Sequence, residues 1–563
     1  MSAVETALDS KRRLRAVAVR ELGAVAVVGV AILGGVAFRW FDLQRWSLWW
    51  DEGFTVWAAH LAPARIIPFA RSDNQAPLYY LLQHYWIGFF GDSEFALRAL
   101  STLFGTLALP VFYLLAKKVL KDGIATALGM WLFAFSLKQI WYSREARAYE
   151  IASFFALLAL YALVVFLERR SVWALSTLVV SSAVTLYLHN IMMFYLLGLD
   201  VVWLVYPSEG TWGRRIREMV LGNVCIGLLY LPWVVSLLGQ VVTVAGNLYW
   251  VRRPTVWNVV WTLRDAAGFE IEYLTVLARR FLPLSAWVLR YGLSIGLVLL
   301  SGALLAGSFW RASATERRKC LAFVLYCVLP VFLIFILSQK MPLYLDRVFT
   351  TSSIVTPIIF AFPLAPERNA RGKVLYGFLG VAVAIVAILS GFGFVRYGEG
   401  QVRNDEDWRG VIYTVATIPE TNRLIVFAPP AGEVLFDYYA RNLPSVDAGV
   451  ARTGLPGAFY ERFPPVKAKI IDEADINHLK GAVESRKYTE IDVVLTHDVD
   501  PGGLIADYLE RRYARGEEPA PSGPKMRIRI IPFRLLPRPE PTAQGNRSDP
   551  GEGVLREVPR TKH

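Results

Sequence analysis

The chain has 563 residues, 55% of them apolar, 13% aromatic and 19% charged, with a mean hydropathy of +0.38. With 42 Gly, 30 Pro and only 3 Cys, collagen-like, disordered, disulfide-scaffold and Cys-rich metal classes fall away. The formal charge of +13 does not predict a nucleic-acid partner: from Val395 onward 24 Lys and Arg meet 25 Asp and Glu, so the basic excess belongs to the first 394 residues.

Those residues carry apolar runs that approach ~20 residues, the length needed to cross ~30 Å of hydrocarbon. Eleven are expected to span: Leu22–Phe38, Arg98–Ala116, Gly123–Leu137, Ala148–Leu167, Ser171–Leu188, Ile191–Val205, Met219–Leu238, Tyr291–Phe309, Cys320–Ser338, Val348–Pro363 and Val374–Phe394. The first follows basic residues, yet Phe38-Arg39-Trp40-Phe41 is a poor cleavage junction, so it reads as an uncleaved anchor. A further apolar stretch, Pro77–Gly91, contains Gln83 and His84 and is short for a span. Counting it would place Lys117, Lys118 and Lys121 outside and reverse every later loop. It is expected instead as a helix on the outer leaflet, with Tyr79, Tyr80, Tyr85 and Trp86 at the interface.

With the N-terminus cytoplasmic, the inner loops hold 20 Lys and Arg in 63 residues and the outer loops before Val348 hold 15 in 132. Cytoplasmic loops are the basic ones, so this orientation is self-consistent, and an odd span count puts everything after Val395 outside. The expected architecture is therefore a mainly α polytopic protein of the cell membrane. Its parts are a transmembrane domain (1–394) with a first outer loop (39–97), an extracytoplasmic α/β domain (395–537) and a disordered tail (538–563). The α/β rhythm comes from apolar strands at Leu424–Ala428, Asp492–Thr496 and Met526–Pro532 alternating with helical patterns at Gly432–Arg441 and Gly503–Tyr513.

Ionisable residues at a membrane are functional candidates by default, and here they gather at the outer span ends. The first loop supplies Trp49-Trp50-Asp51-Glu52. Later edges supply Ser143-Arg144-Glu145-Ala146-Arg147-Ala148-Tyr149, then His189-Asn190, Lys340 and Asp346-Arg347. Carboxylates in one loop with cations at several other outer ends suit transfer from a lipid phosphate: cations hold the leaving phosphate and a carboxylate takes the proton of an attacking hydroxyl. Each piece also has a plainer reading. The Asp-Glu pair is a possible helix cap, Arg144 and Arg147 are possible interfacial anchors, His189 and Asn190 a possible interhelical polar pair, and Lys340 and Arg347 possible snorkelling cations. Their convergence on one face favours the site.

These residues also carry a resemblance. Trp49-Trp50-Asp51-Glu52, Ala76-Pro77-Leu78-Tyr79-Tyr80, Gly91-Asp92-Ser93-Glu94-Phe95-Ala96-Leu97-Arg98-Ala99-Leu100-Ser101 and Tyr142-Ser143-Arg144-Glu145-Ala146-Arg147-Ala148-Tyr149 resemble, in order and spacing, the bacterial protein O-mannosyltransferase and aminoarabinose transferase families of the GT-C glycosyltransferase superfamily (family 39-like). The match is good over the first ~200 residues; beyond them Leu345-Asp346-Arg347 and Glu406-Asp407-Trp408-Arg409 only echo it. Family members often have Pro-Pro-Leu where this chain has Ala76-Pro77-Leu78, and an Arg-Tyr pair where it has Arg347-Val348.

The resemblance implies an inverting membrane glycosyltransferase that takes a sugar from a polyprenyl-phosphate donor on the outer face. The acceptor is a hydroxyl or phosphate on a lipid, glycan or protein. Carried onto this chain, the catalytic carboxylate is Asp51 with Glu52 beside it. Arg144, Arg147, Tyr149, Lys340 and Arg347 are expected at the donor phosphate, and Asn74, Gln75, Tyr79 and His189 at the substrate. Members that use monophosphate donors generally need no metal, and none is expected here as a required cofactor. A divalent cation on Asp51 and Glu52 is the alternative. The rival classes are a lipid or glycolipid transporter, which predicts broken helices with midplane charges and repeat symmetry, and a membrane-tethered sensor, which gives Asp51 no work.

Overall fold

The structure, a computed structural model, describes residues 3–247, 251–268 and 293–364, isolated positions between 385 and 392, and 406–536 apart from 417–421, 442, 444–449, 462–469, 487 and 520–527. Among the described residues, twelve α-helices run through the first part: α1 (Ala3–Trp40), α2 (Trp50–His60), α3 (Pro63–Ser72), α4 (Leu78–Phe90), α5 (Glu94–Leu120), α6 (Gly123–Ala134), α7 (Leu137–Ser143), α8 (Tyr149–Arg169), α9 (Val172–Leu188), α10 (Met193–Val205), α11 (Trp212–Asn247) and α12 (Val256–Ala266). Helices Leu293–Arg311 and Ala314–Leu337 follow, then a 3-10 stretch Asp346–Ile354 that leads into a short helix Thr356–Ala361. The first ten expected spans each fall on these helices. The eleventh, Val374–Phe394, lies outside the described residues save for isolated positions.

The helix ends follow from local chemistry. Ser93, Asp122, Ser171 and Ser313 accept from backbone N–H groups of the first turns of α5, α6, α9 and Ala314–Leu337, groups that have no partner inside the helix. Lys121 and Arg170 close α5 and α8 in left-handed backbone at φ 53° each. Among the described residues, five helices are long and apolar enough to cross a membrane, and seven if each of two bent pairs counts as one span. In α8 78% of the apolar window is buried, against 22% in α1, so α8 is the centre of the bundle and α1 its rim. Large apolar side chains face outward on the rim, among them Leu33 and Val235, as lipid permits and water penalises.

The two bends bear on function. α6 and α7 meet at 46°, and the stretch from Asp346 meets the one from Thr356 at 42°. Broken helices were expected of a transporter. Here the segment after the first break, α7, leads to Arg144 and Arg147, and the segment before the second begins at Asp346-Arg347.

α4 has 13 residues, too short at ~1.5 Å per residue to span. The polar residues that argued against a span are used in packing: Gln83 Nε2 donates to Leu97 O at 3.0 Å, and His84 Nδ1 lies 2.7 Å from Ala59 O. Its aromatic face differs from expectation. Tyr85, Phe89 and Phe90 point outward, but Tyr79 and Tyr80 are buried inside the protein and are not interfacial. They occupy the N-terminal turn, which tucks beneath the candidate site, while the C-terminal turn projects.

Among the described residues, the C-terminal unit holds a five-stranded sheet ordered β2-β1-β3-β5-β4, with β1 (Arg423–Ala428), β2 (Ala451–Gly454) and β3 (Glu490–Leu495) parallel and β5 (Arg529–Leu535) and β4 (Tyr513–Arg515) antiparallel. Every residue of β1 is buried, as a strand covered on both faces requires. The expected strands and helices sit on β1, β3, β5, Gly432–Ala440 and Leu504–Leu509. β2 and β4 were missed because strands of three or four residues carry no readable alternation. The proposed tail lies outside the described residues.

Candidate active site

Asp51 and Glu52 are the second and third residues of α2, where negative charge suits the helix N-terminus. Neighbouring helical residues project ~100° apart, and the two carboxylates part accordingly. Glu52 is fully buried. Arg98 holds it with two bonds, Nε to Oε1 at 2.9 Å and Nη2 to Oε2 at 2.6 Å, and Ala146 N donates to Oε1 at 2.9 Å. The same guanidinium donates to the carbonyls of Leu43, Trp46 and Ser47, so Glu52 and Arg98 fix the loop before α2.

Asp51 turns the other way, its side chain 20% exposed. Arg347 Nη1 donates to its Oδ2 at 2.7 Å, and Arg147 Nη2 lies 3.8 Å from the same oxygen while Arg147 Nη1 donates to the Asp51 carbonyl at 3.3 Å. Residues 96 and 296 positions along the chain thus converge on one carboxylate. The guanidinium of Arg147 also approaches Tyr80 Oη at 3.5 Å, and Tyr80 donates to Asp73 Oδ2 at 3.1 Å. Burial opposes the charge on Arg147, but Asp51 beside it keeps the group protonated, well above its ordinary range. Burial likewise pushes the Tyr79 and Tyr80 phenols up, against the pull of Arg147.

The segment Ser143–Ala148 is pinned by its backbone. Thr102 Oγ1 donates to Ser143 O, Thr55 Oγ1 to Ala146 O and Ser101 Oγ to Arg147 O, at 2.8 to 3.0 Å. Aromatic rings close the site. The Arg347 guanidinium lies 5.9 Å from the rings of both Trp49 and Tyr149, Arg147 lies 6.0 Å from Tyr149, and the His189 ring is 5.4 Å from Tyr149. Burial, with Arg147 and Arg347 nearby, pushes the His189 imidazole down to about 3, so it is neutral.

The remaining expected residues divide. Asn74, in left-handed backbone at φ 55°, and Gln75 belong to a loop tied by Gln240, whose Nε2 donates to the Ala70, Arg71 and Gln75 carbonyls. Asn190 joins that network, donating to Gln240 Oε1 at 2.8 Å and more weakly to Asn74 O at 3.4 Å. Arg144 is buried, and its Nη1 donates to the carbonyls of Phe38, Arg39 and Phe41; it closes the C-terminus of α1. Lys340 is exposed beyond the helix Ala314–Leu337, with no bond to Asp51, Arg147 or Arg347 among the described residues.

The buried lysine here is Lys138, whose Nζ bonds Asp346 Oδ1 at 2.6 Å. Sequence reasoning passed over it, although a Lys-Gln pair directly after an apolar run was the signal. Arg98 and Trp49 stood inside the quoted motifs without a role, and Tyr80 was expected at the membrane interface. A divalent cation does not fit Asp51 and Glu52: one faces two guanidinium groups, and the other is held bidentately by a third. Among the described residues no three His, Cys, Asp or Glu gather as metal ligands.

No protein-family model and no curated protein sequence matches the chain. Solved structures do. ArnT from Cupriavidus metallidurans bound to undecaprenyl phosphate is similar at 12% identity and a TM-score of 0.51, and the same protein in the apo state at 12% and 0.52. Each alignment covers 90% of this chain and 97% of the other. The chain thus shares the fold of these structures, a polytopic helical body with a small α/β unit near its C-terminus, as the motifs implied.

Proposed function

We propose that the chain is an integral-membrane glycosyltransferase that moves a sugar from a polyprenyl-phosphate donor to an acceptor hydroxyl or phosphate on the outer face of the membrane, with inversion. The observation that carries this reading is Asp51, its side chain 20% exposed between Arg347 at 2.7 Å and Arg147 at 3.8 Å. ArnT, which shares the fold, binds undecaprenyl phosphate.

Asp51 is the general base. It takes the proton of an acceptor hydroxyl as that oxygen attacks the anomeric carbon, and the bond from that carbon to the phosphate oxygen breaks. The pair of electrons leaves with the polyprenyl phosphate, whose growing charge Arg147 and Arg347 match. Without donor, one Asp51 oxygen is occupied by Arg347. A phosphate competes for the same guanidinium, so donor binding releases the carboxylate for the proton. Tyr149 and Trp49 supply flat faces beside the cations, and neutral His189 a ring nitrogen for hydrogen bonding. Arg144 and Glu52 serve as scaffold in this reading, and Lys340 has no role at the phosphate.

The test is turnover. Purified protein is offered a panel of radiolabelled polyprenyl-phosphate hexoses and pentoses, with cell-envelope extract as acceptor, while lipid-linked sugars and envelope glycans of a deletion strain are analysed by mass. Transfer from one donor, abolished by Asp51→Asn, is expected. A panel without transfer, together with an unchanged envelope, refutes the reading.

A further inference from the structure

The C-terminal unit reaches back to the segment that carries Asp51. Trp50 is the first residue of α2, and its N–H has no acceptor inside the helix. Glu406, from 356 positions later, supplies one: Trp50 N donates to Glu406 Oε2 at 2.9 Å. Glu406 is 8% exposed, its carbonyl accepts from Ser47 Oγ at 3.1 Å, and its second carboxylate oxygen lies 3.5 Å from His497 Nε2. Leu48 N donates to Tyr439 Oη at 2.6 Å. The Trp50 ring lies 4.7 Å from that of His497 and 5.9 Å from that of Trp408. A Cβ at Gly53 would come within 2.9 Å of Leu435.

Residues 47–53 are therefore clamped from two sides. Arg98 and Glu52 hold them to the membrane body, and Glu406 and Tyr439 hold them to the sheet unit. Asp51 is the side chain between these anchors that is left turned to Arg147 and Arg347. We propose that Glu406 is a positioning residue for Asp51, and that the C-terminal unit is thereby part of the catalytic apparatus. The inference rests on the reading of Asp51 as general base. Its physical content is that proton transfer needs the carboxylate within hydrogen-bond reach of the acceptor hydroxyl, and displacements near 1 Å cost ~10²-fold in rate.

The experiment compares Glu406→Ala and Glu406→Gln in the full chain, with amide exchange over residues 47–56 and steady-state kinetics on the polyprenyl-phosphate sugar that the wild type uses. Gln keeps an oxygen for the Trp50 N–H and Ala does not. Glu406→Ala is expected to lower turnover about tenfold at unchanged donor KM, with faster exchange at residues 47–53 and unchanged exchange in α5 and α8. Glu406→Gln is expected to restore both. Wild-type turnover in Glu406→Ala overturns the proposal, as does equal loss in Ala and Gln or a loss confined to donor KM. Should Glu406→Ala not be recovered folded, Tyr439→Phe, which removes the acceptor for Leu48 N–H, is judged by the same criteria. Full activity in Asp51→Asn would instead refute the base assignment, and the exchange measurement would still decide whether Glu406 holds the segment.

Discussion

Asp51 and Glu52 are chemically near-identical neighbours that the fold separates into different tasks, and their substitutions should part in the same way. Asp51→Asn is expected to leave folding and donor binding intact while turnover falls about 10²–10⁴-fold. Glu52→Gln leaves Arg98 buried with half its pairing, and loss of one partner from a buried pair costs about 3–5 kcal/mol. It should appear as a lower melting temperature and poor yield, read by fluorescence-detected gel filtration after heating. Arg347→Lys keeps the charge but not the planar fork, so turnover should fall about tenfold with the protein still stable. At this scale the sequence was informative about residue types and blind to direction. Two carboxylates in a row could be read from it. Which of them meets Arg98 depends on how α2 is rolled against α5, and Arg144 and Arg147 are separated in the same way by the turn between α7 and α8.

Helices were the most legible elements, because long apolar runs bounded by Ser, Asp or basic residues have few alternative structures. Short pieces were read less well. Nothing local told that the N-terminal turn of α4 would carry Tyr79 and Tyr80 inward, since that depends on the room beneath Arg147. The helix Gly432–Ala440 carries a second case. Its Glu433 is buried, accepts from Phe459 N at 3.2 Å, and is pushed up to about 7 by loss of water. The folded form therefore holds a proton that the unfolded chain releases above ~4.5, and stability contributed by this group is full below that pH and lost as pH rises through 7. Glu433→Gln cannot lose that proton. Its melting temperature should exceed that of the wild type at pH 8 and match it at pH 5, as thermal scans at the two pH values will report.

For the whole molecule, the loop charges predict that the sheet unit and the Asp51 site share the outer side. In a background without Cys225, Cys320 and Cys327, a cysteine at exposed Ser485 should react with an impermeant maleimide in intact cells, and one at exposed Glu209 only after lysis. The reverse pattern would move the site to the cytoplasm. Membrane class and order of helices were legible because bulk hydropathy and charge dictate them. The contact between residues 47–53 and 406–439 was not, since it joins distant stretches whose motifs were each readable only alone. That contact also sets an order in time. A chain emerging from the ribosome contains Asp51, Arg147 and Arg347 before Glu406 and Tyr439 exist, so newly made protein holds the membrane body while the loop that bears Asp51 still lacks its second clamp. With Asp51 acting as proposed, turnover should then reach its full rate only once the sheet unit has folded against that loop.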